Sequence, residues 1–322
     1  MPPALHPIDA TLDEWGSRLF NVSAPRAPAA GGRRGAHLHA GTGGRLRTPA
    51  ARAQFVRQKL RDLVRRTPQV LVKLTSAPKG MRGISNNLRY ISREGQLAIE
   101  DQDGQLIHGK DAVQDLKDEW RDGGEPIPPT SSMREAFHVV LSMPLGTDPL
   151  AVQRAVRDFA AREFPTHQYA MVLHTFETDP DPRPSPNPHV HLTVKAAGFD
   201  GRRLNPRKPD LQRWREGFAE ALREQGLEAT TTSRLHRTTQ ARWTVRHLRE
   251  PSGDRVARQP RSTPRPGRDR DVLRNYAQVM QALARSDRGE DRQLAKDLVG
   301  YFTGRNQVKE QDQGRDRERE RE

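Results

Sequence analysis

Leu173-His174-Thr175-Phe176 and, beyond a proline-rich gap, Asn187-Pro188-His189-Val190-His191-Leu192-Thr193-Val194 are the most informative segments of this 322-residue chain. Successive side chains of a strand point to opposite faces, so His189 and His191 share one face and Val190, Leu192 and Val194 share the other. The apolar set predicts a strand over 189–196 with its back against a core. The β-branched and alternating pattern of 169–176 predicts a second. Pairing the two as a hairpin brings His174 opposite His189 and His191. Three imidazoles from two strands then form a triangular face with open positions for a substrate oxygen, a donor set suited to a divalent metal. His37-Leu38-His39 has the same spacing but lies in a Gly/Arg-rich stretch without strand pattern, and no site is read there.

The gap between the two segments carries Pro180, Pro182, Pro184, Pro186 and Pro188 at every second position. Such a run favours extended polyproline geometry over a tight turn, so a stiff arm is expected between the strands. Glu177, Asp179 and Asp181 open the loop. Two readings stand for them: orientation of a histidine from outside the donor set, or ordinary loop solvation.

Further strands are predicted over 69–75 and 137–143, and helices over 51–66, 83–93, 111–120, 148–164 and 208–225. The helix after Thr147-Asp148-Pro149 has a capping residue and an N1 proline, and the one before Gly226 stops where a C′ glycine would stop it. The expected fold class is α/β (α+β): a sandwich with a mainly antiparallel sheet and helices on one face. Residues 1–50, rich in Pro, Gly, Ala and Arg, read as a disordered basic arm. They are followed by a main domain over 51–250, an Arg/Pro linker over 251–270, a helical hairpin over 271–305 broken near 286–289, and a charged tail over 306–322.

Composition narrows the function classes. The chain has no cysteine, which excludes disulfides, thiol catalysis and Cys-type zinc sites. The 55 Lys+Arg against 41 Asp+Glu give a net charge of +14, and such a balance points to a polyanionic partner. No apolar run approaches membrane-spanning length and no secretory pattern opens the chain, so a soluble, cytoplasmic protein without membrane insertion is expected. Arg89, Arg93, Arg202, Arg203, Arg207, Lys208, Arg234 and Arg237 are candidate phosphate contacts. Trp214 and Trp243 lie among basic residues, where stacking on bases is one reading and core packing the expected role for each.

Of four tyrosines, Tyr90 stands out, in Asn86-Asn87-Leu88-Arg89-Tyr90-Ile91-Ser92-Arg93-Glu94-Gly95 on a predicted helix. Taken with Phe137-His138-Val139-Val140-Leu141-Ser142-Met143-Pro144-Leu145-Gly146-Thr147, the His…His-x-His segments and Ala229-Thr230-Thr231-Thr232-Ser233-Arg234, this order resembles the mobilisation relaxases of conjugative plasmids. These are His-hydrophobe-His (HUH) endonucleases of the MobA/VirD type, and the likeness covers residues 69–234, closest to the branch of the border endonuclease of tumour-inducing plasmids. The resemblance implies a five-stranded antiparallel sheet with helices. It implies Tyr90 as the nucleophile that forms a 5′-phosphotyrosine link, and His174, His189 and His191 as ligands of Mg2+ or Mn2+, with Zn2+ left open by the residues themselves. It also implies single-stranded DNA at a plasmid or mobile-element transfer origin as substrate. Accessory relaxosome proteins, a coupling protein and a separate helicase would be partners. The 14 residues between His174 and His189 exceed the few usual in the family, and the proline run accounts for the excess.

A phenol ionises well below an alkyl alcohol, so it is both easier to activate and a better leaving group on resealing. His138 and the loop carboxylates are candidates for a general base. Two alternatives stand beside the relaxase reading. A rolling-circle replication initiator would share the chemistry but typically carries its tyrosine downstream of the His pair, and a non-catalytic basic DNA-binding accessory protein would give no covalent adduct.

Overall fold

The segment with alternating His and aliphatic residues forms a central strand. The computed structural model describes residues 7–20, 48–231 and 266–303. The chain divides into two units, Pro68–Thr231 on the one hand and Met1–Thr67 with Thr232–Glu322 on the other.

The first of these is built on β1 (Leu71–Ser76), α4 (Gly80–Ile91), β2 (Ile99–Asp101), β3 (Leu106–Ile107), α5 (Lys110–Asp122), β4 (Ala136–Ser142), α6 (Pro149–Glu163), β5 (Tyr169–His174), β6 (His189–Lys195) and α7 (Lys208–Glu224). The sheet order is β1-β4-β6-β5-β2-β3, and every pairing between these strands is antiparallel. The four expected strands and the helices around them are present, with ends shifted by three residues or fewer. The sheet has six strands where five were implied. The two strands beyond the four read from the sequence form the small β2–β3 hairpin, whose strands of three and two residues are too short for an alternating pattern to register.

Both faces of the sheet are covered, not one as expected. Val139, Leu141, Val190, Leu192, Val194 and Met171 point into a core shared with Val152, Val156 and Phe159 of α6 and Trp214, Phe218 and Leu222 of α7. On the opposite face Ala136, Ala170 and Val172 pack under Ile84, Leu88 and Ile91 of α4 and Val113, Leu116 and Trp120 of α5. The strand sequences conceal this second layer, because its face also carries His138, His191, Thr193 and Lys195 and so reads as solvent-facing. All four are nevertheless buried. Buried polar groups need partners. Thr193 donates to Asn87 Oδ1 of α4 at 2.6 Å, and the Lys195 ammonium donates to the carbonyl of Gly123 at 2.5 Å.

The other unit contains α1 (Pro7–Thr11), a π-helical turn (Leu12–Gly16), α2 (Ser17–Phe20), α3 (Pro49–Val64), α8 (Pro266–Ala284) and α9 (Gly289–Thr303). Residues 7–20, placed by composition in a disordered arm, are thus helical. Leu12, Leu19 and Phe20 are buried with Val56 and Leu60 of α3, Val279 and Leu283 of α8, and Leu294 and Leu298 of α9. Arg57 of α3 forms a buried two-pronged bond to Asp291, at 2.7 and 2.9 Å. The expected hairpin with a break near 286–289 corresponds to α8 and α9, although α8 begins inside the stretch read as linker. His37, His39, Arg234, Arg237, Trp243 and the 306–322 tail lie outside the described residues. Among the described residues no helix is long and apolar enough to cross a membrane.

Candidate active site

Antiparallel register brings the histidines together. His174 of β5 pairs with His189 of β6, which pairs with Ser142 of β4; two rows on, on the same face, Val172, His191 and Val140 are paired. Directly opposite residues project to the same side, so His174, His189 and His191 converge at one end of the α4-covered face. One ligand atom from each lies within 4.8 Å of the others, and ring centroids are 4.4 Å apart for His174–His191 and 5.0 Å for His189–His191. The arrangement is the hairpin expected from the sequence.

The nucleophile candidate arrives from the helix above. Met81, Ile84, Leu88 and Ile91 bury one stripe of α4, and Asn87 is tied to Thr193 on β6. One turn beyond Asn87, Tyr90 overhangs the same strand. It is 54% exposed, and its ring is nearly perpendicular to those of His191 and His138, with centroids 5.7 and 6.4 Å away.

The chain then turns through an unusual backbone. Arg93, Glu94 and Gly95 all have positive φ, at 49°, 59° and 83°. A left-handed run that includes two non-glycine residues costs backbone energy and persists only where surrounding contacts over-determine it. Those contacts are the amide of Glu94 to the carbonyl of Arg89, the amide of Gly95 to Ser92 Oγ, and the Arg89–Glu94 ion pair at 3.0 Å. Gly95 is obligatory, since a Cβ there would lie 2.8 Å from the carbonyl carbon of Gly109.

The product of this turn is the placement of Arg93. Its guanidinium sits 5.0 Å from the Tyr90 ring centroid and donates twice to the buried Asp179 carboxylate, at 2.7 and 2.9 Å. The Asp179 carboxylate also lies 2.9 Å from His174 Nδ1 and accepts the amide of Asp181. Arg93, helped by that amide and by His174, holds the Asp179 carboxyl well below the usual carboxylate range. Of the three loop acids, Asp179 therefore touches the histidine set directly. Asp181 stays near Arg93 at 3.6 Å, and Glu177 is exposed.

The ring nitrogens decide whether the set fits a metal. His189 Nδ1 donates to the carbonyl of Asn187 at 2.9 Å, which leaves its Nε2 with a free lone pair. His191 Nδ1 is bonded to His138 Nε2 at 2.8 Å, so its Nε2 is likewise the inward nitrogen. His174 has Asp179 at Nδ1 and the last helical carbonyl of α4, Ile91, at Nε2, 2.7 Å away. Ligation by His174 Nε2 would exchange the Ile91 bond for the metal and keep Asp179 behind Nδ1, a carboxylate–histidine arrangement that fixes the ring. Burial lowers His189, and burial with the neighbouring His174 and His138 pushes His191 down to about 2, so both keep neutral, ligand-competent rings. The residues fit a divalent cation.

His138 does not fit the role of a base for Tyr90. Its Nε2 faces His191 and its Nδ1 faces Thr75 Oγ1 at 2.9 Å, so neither nitrogen remains for the phenol. Burial pushes it down to about 4. Tyr169 is 3% exposed and belongs to the opposite core, away from the histidines.

The basic residues divide by position. Arg89 and Arg93 flank Tyr90. Arg202, Arg203, Arg207 and Lys208 follow the far end of β6, and the six-residue separation of His191 from Ala197 alone corresponds to about 20 Å of strand. Arg203 is bonded there to Glu135 at 2.5 Å and to Glu125 at 3.1 Å, so much of its charge is committed to carboxylates. Arg202, Arg207 and Lys208 are exposed. Trp214 is a core residue that donates to Glu163.

The Arg93–Asp179 pair yields a stability prediction. Asp179→Asn leaves Arg93 opposite a neutral amide in a site where the two side chains are 16% and 2% exposed, and a loss of about 3 kcal/mol is expected. Because the folded carboxyl is depressed, its contribution is complete above the unfolded value near ~4 and fades as pH falls below it. Urea unfolding should therefore show the gap between wild type and variant closing as pH is lowered from about 6 to about 3. A gap independent of pH would contradict the assignment.

Residues 90–227 match the family model described as Relaxase: MobA/VirD2-like, nuclease domain. No curated protein matches the chain. The matched span starts at Tyr90, contains the three histidines and ends just past α7, within the region whose motifs carried the resemblance. Over these residues the chain matches the nuclease domain of the MobA/VirD2-like relaxases, which supports the MobA/VirD-type relaxase resemblance read from its motifs.

Proposed function

We propose that the chain nicks one DNA strand at the transfer origin of a plasmid or other mobile element, keeps the cut 5′ end as a phosphotyrosine on Tyr90, and later passes it to a free 3′-hydroxyl. The observation that carries this reading is the half-exposed Tyr90 at the lip of the three-histidine cluster, 5.7 Å from His191 between ring centroids. A tyrosine on the same helix with only a packing role would be buried along the Ile84–Leu88–Ile91 stripe.

In the cleavage step the Tyr90 oxygen forms a bond to phosphorus and the bond from phosphorus to the 3′-oxygen breaks. The phenolic proton passes to solvent, to which Tyr90 is open, and the departing 3′-oxygen takes up a proton. In-line attack needs the nucleophile held in place. That is the work of α4, which Asn87 anchors to β6, and of Arg93, which lies against the ring while Asp179 fixes its guanidinium. A divalent cation held by His174, His189 and His191, Mg2+ or Mn2+, would supply Lewis-acid neutralisation of a non-bridging phosphate oxygen. Resealing reverses the bonds, with Tyr90 as leaving group. The exposed basic residues Arg89, Arg202, Arg207 and Lys208 would follow the phosphate backbone of single-stranded DNA, with salt-sensitive affinity. Accessory relaxosome proteins, a coupling protein and a helicase are the partners this activity would call on.

The test is incubation with supercoiled plasmid carrying the cognate origin and Mn2+ or Mg2+, followed by denaturing electrophoresis. A protein-linked strand with a blocked 5′ end and a free 3′ end is expected. Binding without any adduct would favour the accessory-protein reading instead.

A further inference from the structure

Beside the three histidines of the proposed metal site stands a fourth, His138 of β4, which is 4% exposed. Every polar atom around it can be followed. Thr75 is the extra residue of a β-bulge where the β1–β4 register shifts between Leu74 and Ser76. A bulge re-aims a side chain. Here it turns the Thr75 hydroxyl onto His138, where Oγ1 lies 3.0 Å from the His138 carbonyl and 2.9 Å from His138 Nδ1.

Thr75 has one hydroxyl proton, and a carbonyl oxygen can only accept. That proton therefore goes to the His138 carbonyl, and Oγ1 must accept from Nδ1. His138 is then the Nδ1–H tautomer with a lone pair on Nε2. Its Nε2, 2.8 Å from His191 Nδ1, accepts, so His191 carries its own proton on Nδ1 and presents a bare Nε2. The direction of each bond follows from the one before it, starting from a single backbone carbonyl.

We propose that His138 is a positioning residue: locked by Thr75 as the Nδ1–H tautomer, it holds His191 with the Nε2 lone pair directed into the histidine cluster. The proposal rests on the metal reading for its purpose, though not for its geometry. A histidine in place of the carboxylate or carbonyl that usually backs a ligand imidazole adds no charge, and so leaves the cation's field on the phosphate undiminished. The two rings meet edge to edge through this bond, with centroids 5.0 Å apart and planes tilted by 30°.

Two measurements on the full chain test this separately from the proposed function. In metal-free wild type, long-range proton–nitrogen NMR of the imidazole rings should show His191 as the Nδ1–H tautomer and His138 likewise. His191 protonated on Nε2 would overturn the assignment whatever the metal data. Titration calorimetry with Mn2+ should then show His138→Leu weakened by about 10- to 100-fold, the usual cost of deleting a partner behind a ligand. His138→Gln, whose amide oxygen can accept the same proton, should recover most of that loss. Thr75→Val should weaken binding and Thr75→Ser should not. His138→Leu of unchanged melting temperature and unchanged Mn2+ affinity would overturn the proposal. If His138→Leu does not fold, equal Mn2+ affinities for Thr75→Val and wild type would do so. Wild type that shows the expected tautomers yet takes up no Mn2+ would support the lock and sink the metal reading.

Discussion

Tyr90→Phe is expected to remove the covalent protein–DNA adduct, by at least about a thousand-fold in rate, while single-strand affinity stays nearly unchanged. The variant loses one oxygen from a half-exposed ring and none of the contacts that hold α4: Asn87 still meets Thr193, and Ile84, Leu88 and Ile91 still fill the stripe beneath. The phenyl ring keeps its T-shaped contact with His191 and its face toward Arg93. Loss of adduct therefore reads chemistry rather than collapse. A denaturing gel with origin DNA measures adduct, and anisotropy with the same labelled strand measures binding. Adduct at wild-type rate would reassign the nucleophile, and Tyr169 is a poor heir because it is sealed in the opposite core. Tyr169→Phe serves as the control, with unchanged adduct expected.

His189→Ala and His191→Ala are each expected to abolish metal-dependent nicking, with His37→Ala and His39→Ala without effect. The two pairs share the His-x-His form; His189 and His191 sit on a strand that aims both rings at a third histidine across a register pair, whereas the sequence around His37 and His39 has no strand pattern. Each removal deletes one of three nitrogen donors, and Mn2+ binding by calorimetry should fall below detection in both. Imidazole nitrogens are softer donors than the oxygens Mg2+ prefers, so wild type is expected to bind Mn2+ more tightly than Mg2+. Nicking that survives His191→Ala at full rate would dissociate the cluster from catalysis.

The sequence made some of this site legible and hid the rest, for identifiable reasons. Alternation in His189–Val194 gives both the strand and the shared face of the two histidines, because a period of two is a purely local property. The hairpin with His174 follows from adjacency along the chain. The second helical layer does not follow, because Thr193, Lys195 and His138 look like solvent-facing residues and their partners Asn87, Gly123 and Thr75 lie 106, 72 and 63 positions away. The same distance effect hides the pairing of Arg93 with Asp179, across 86 positions, so that Arg93 reads as one more phosphate contact. One local clue was available: His138 and Ser142 are four apart on the inner strand of an apolar segment, and a buried imidazole there needs a partner. The β2–β3 hairpin left no trace, being too short for any periodicity.

The loop between β5 and β6 is clamped at both ends and nowhere else in the same way. At its start Asp179 is seized by Arg93 and His174; at its finish the Asn187 side chain accepts the amide of Leu145, and the Pro188 carbonyl accepts from Met143 and Ser142. The two clamps, not the span between them, transmit the hairpin register to the histidines. Residues 182–186 lie between the two clamps, so a change of length there is expected to leave the donor set in register. An insertion engineered between the clamps is therefore expected to leave Mn2+ binding by the three histidines unchanged.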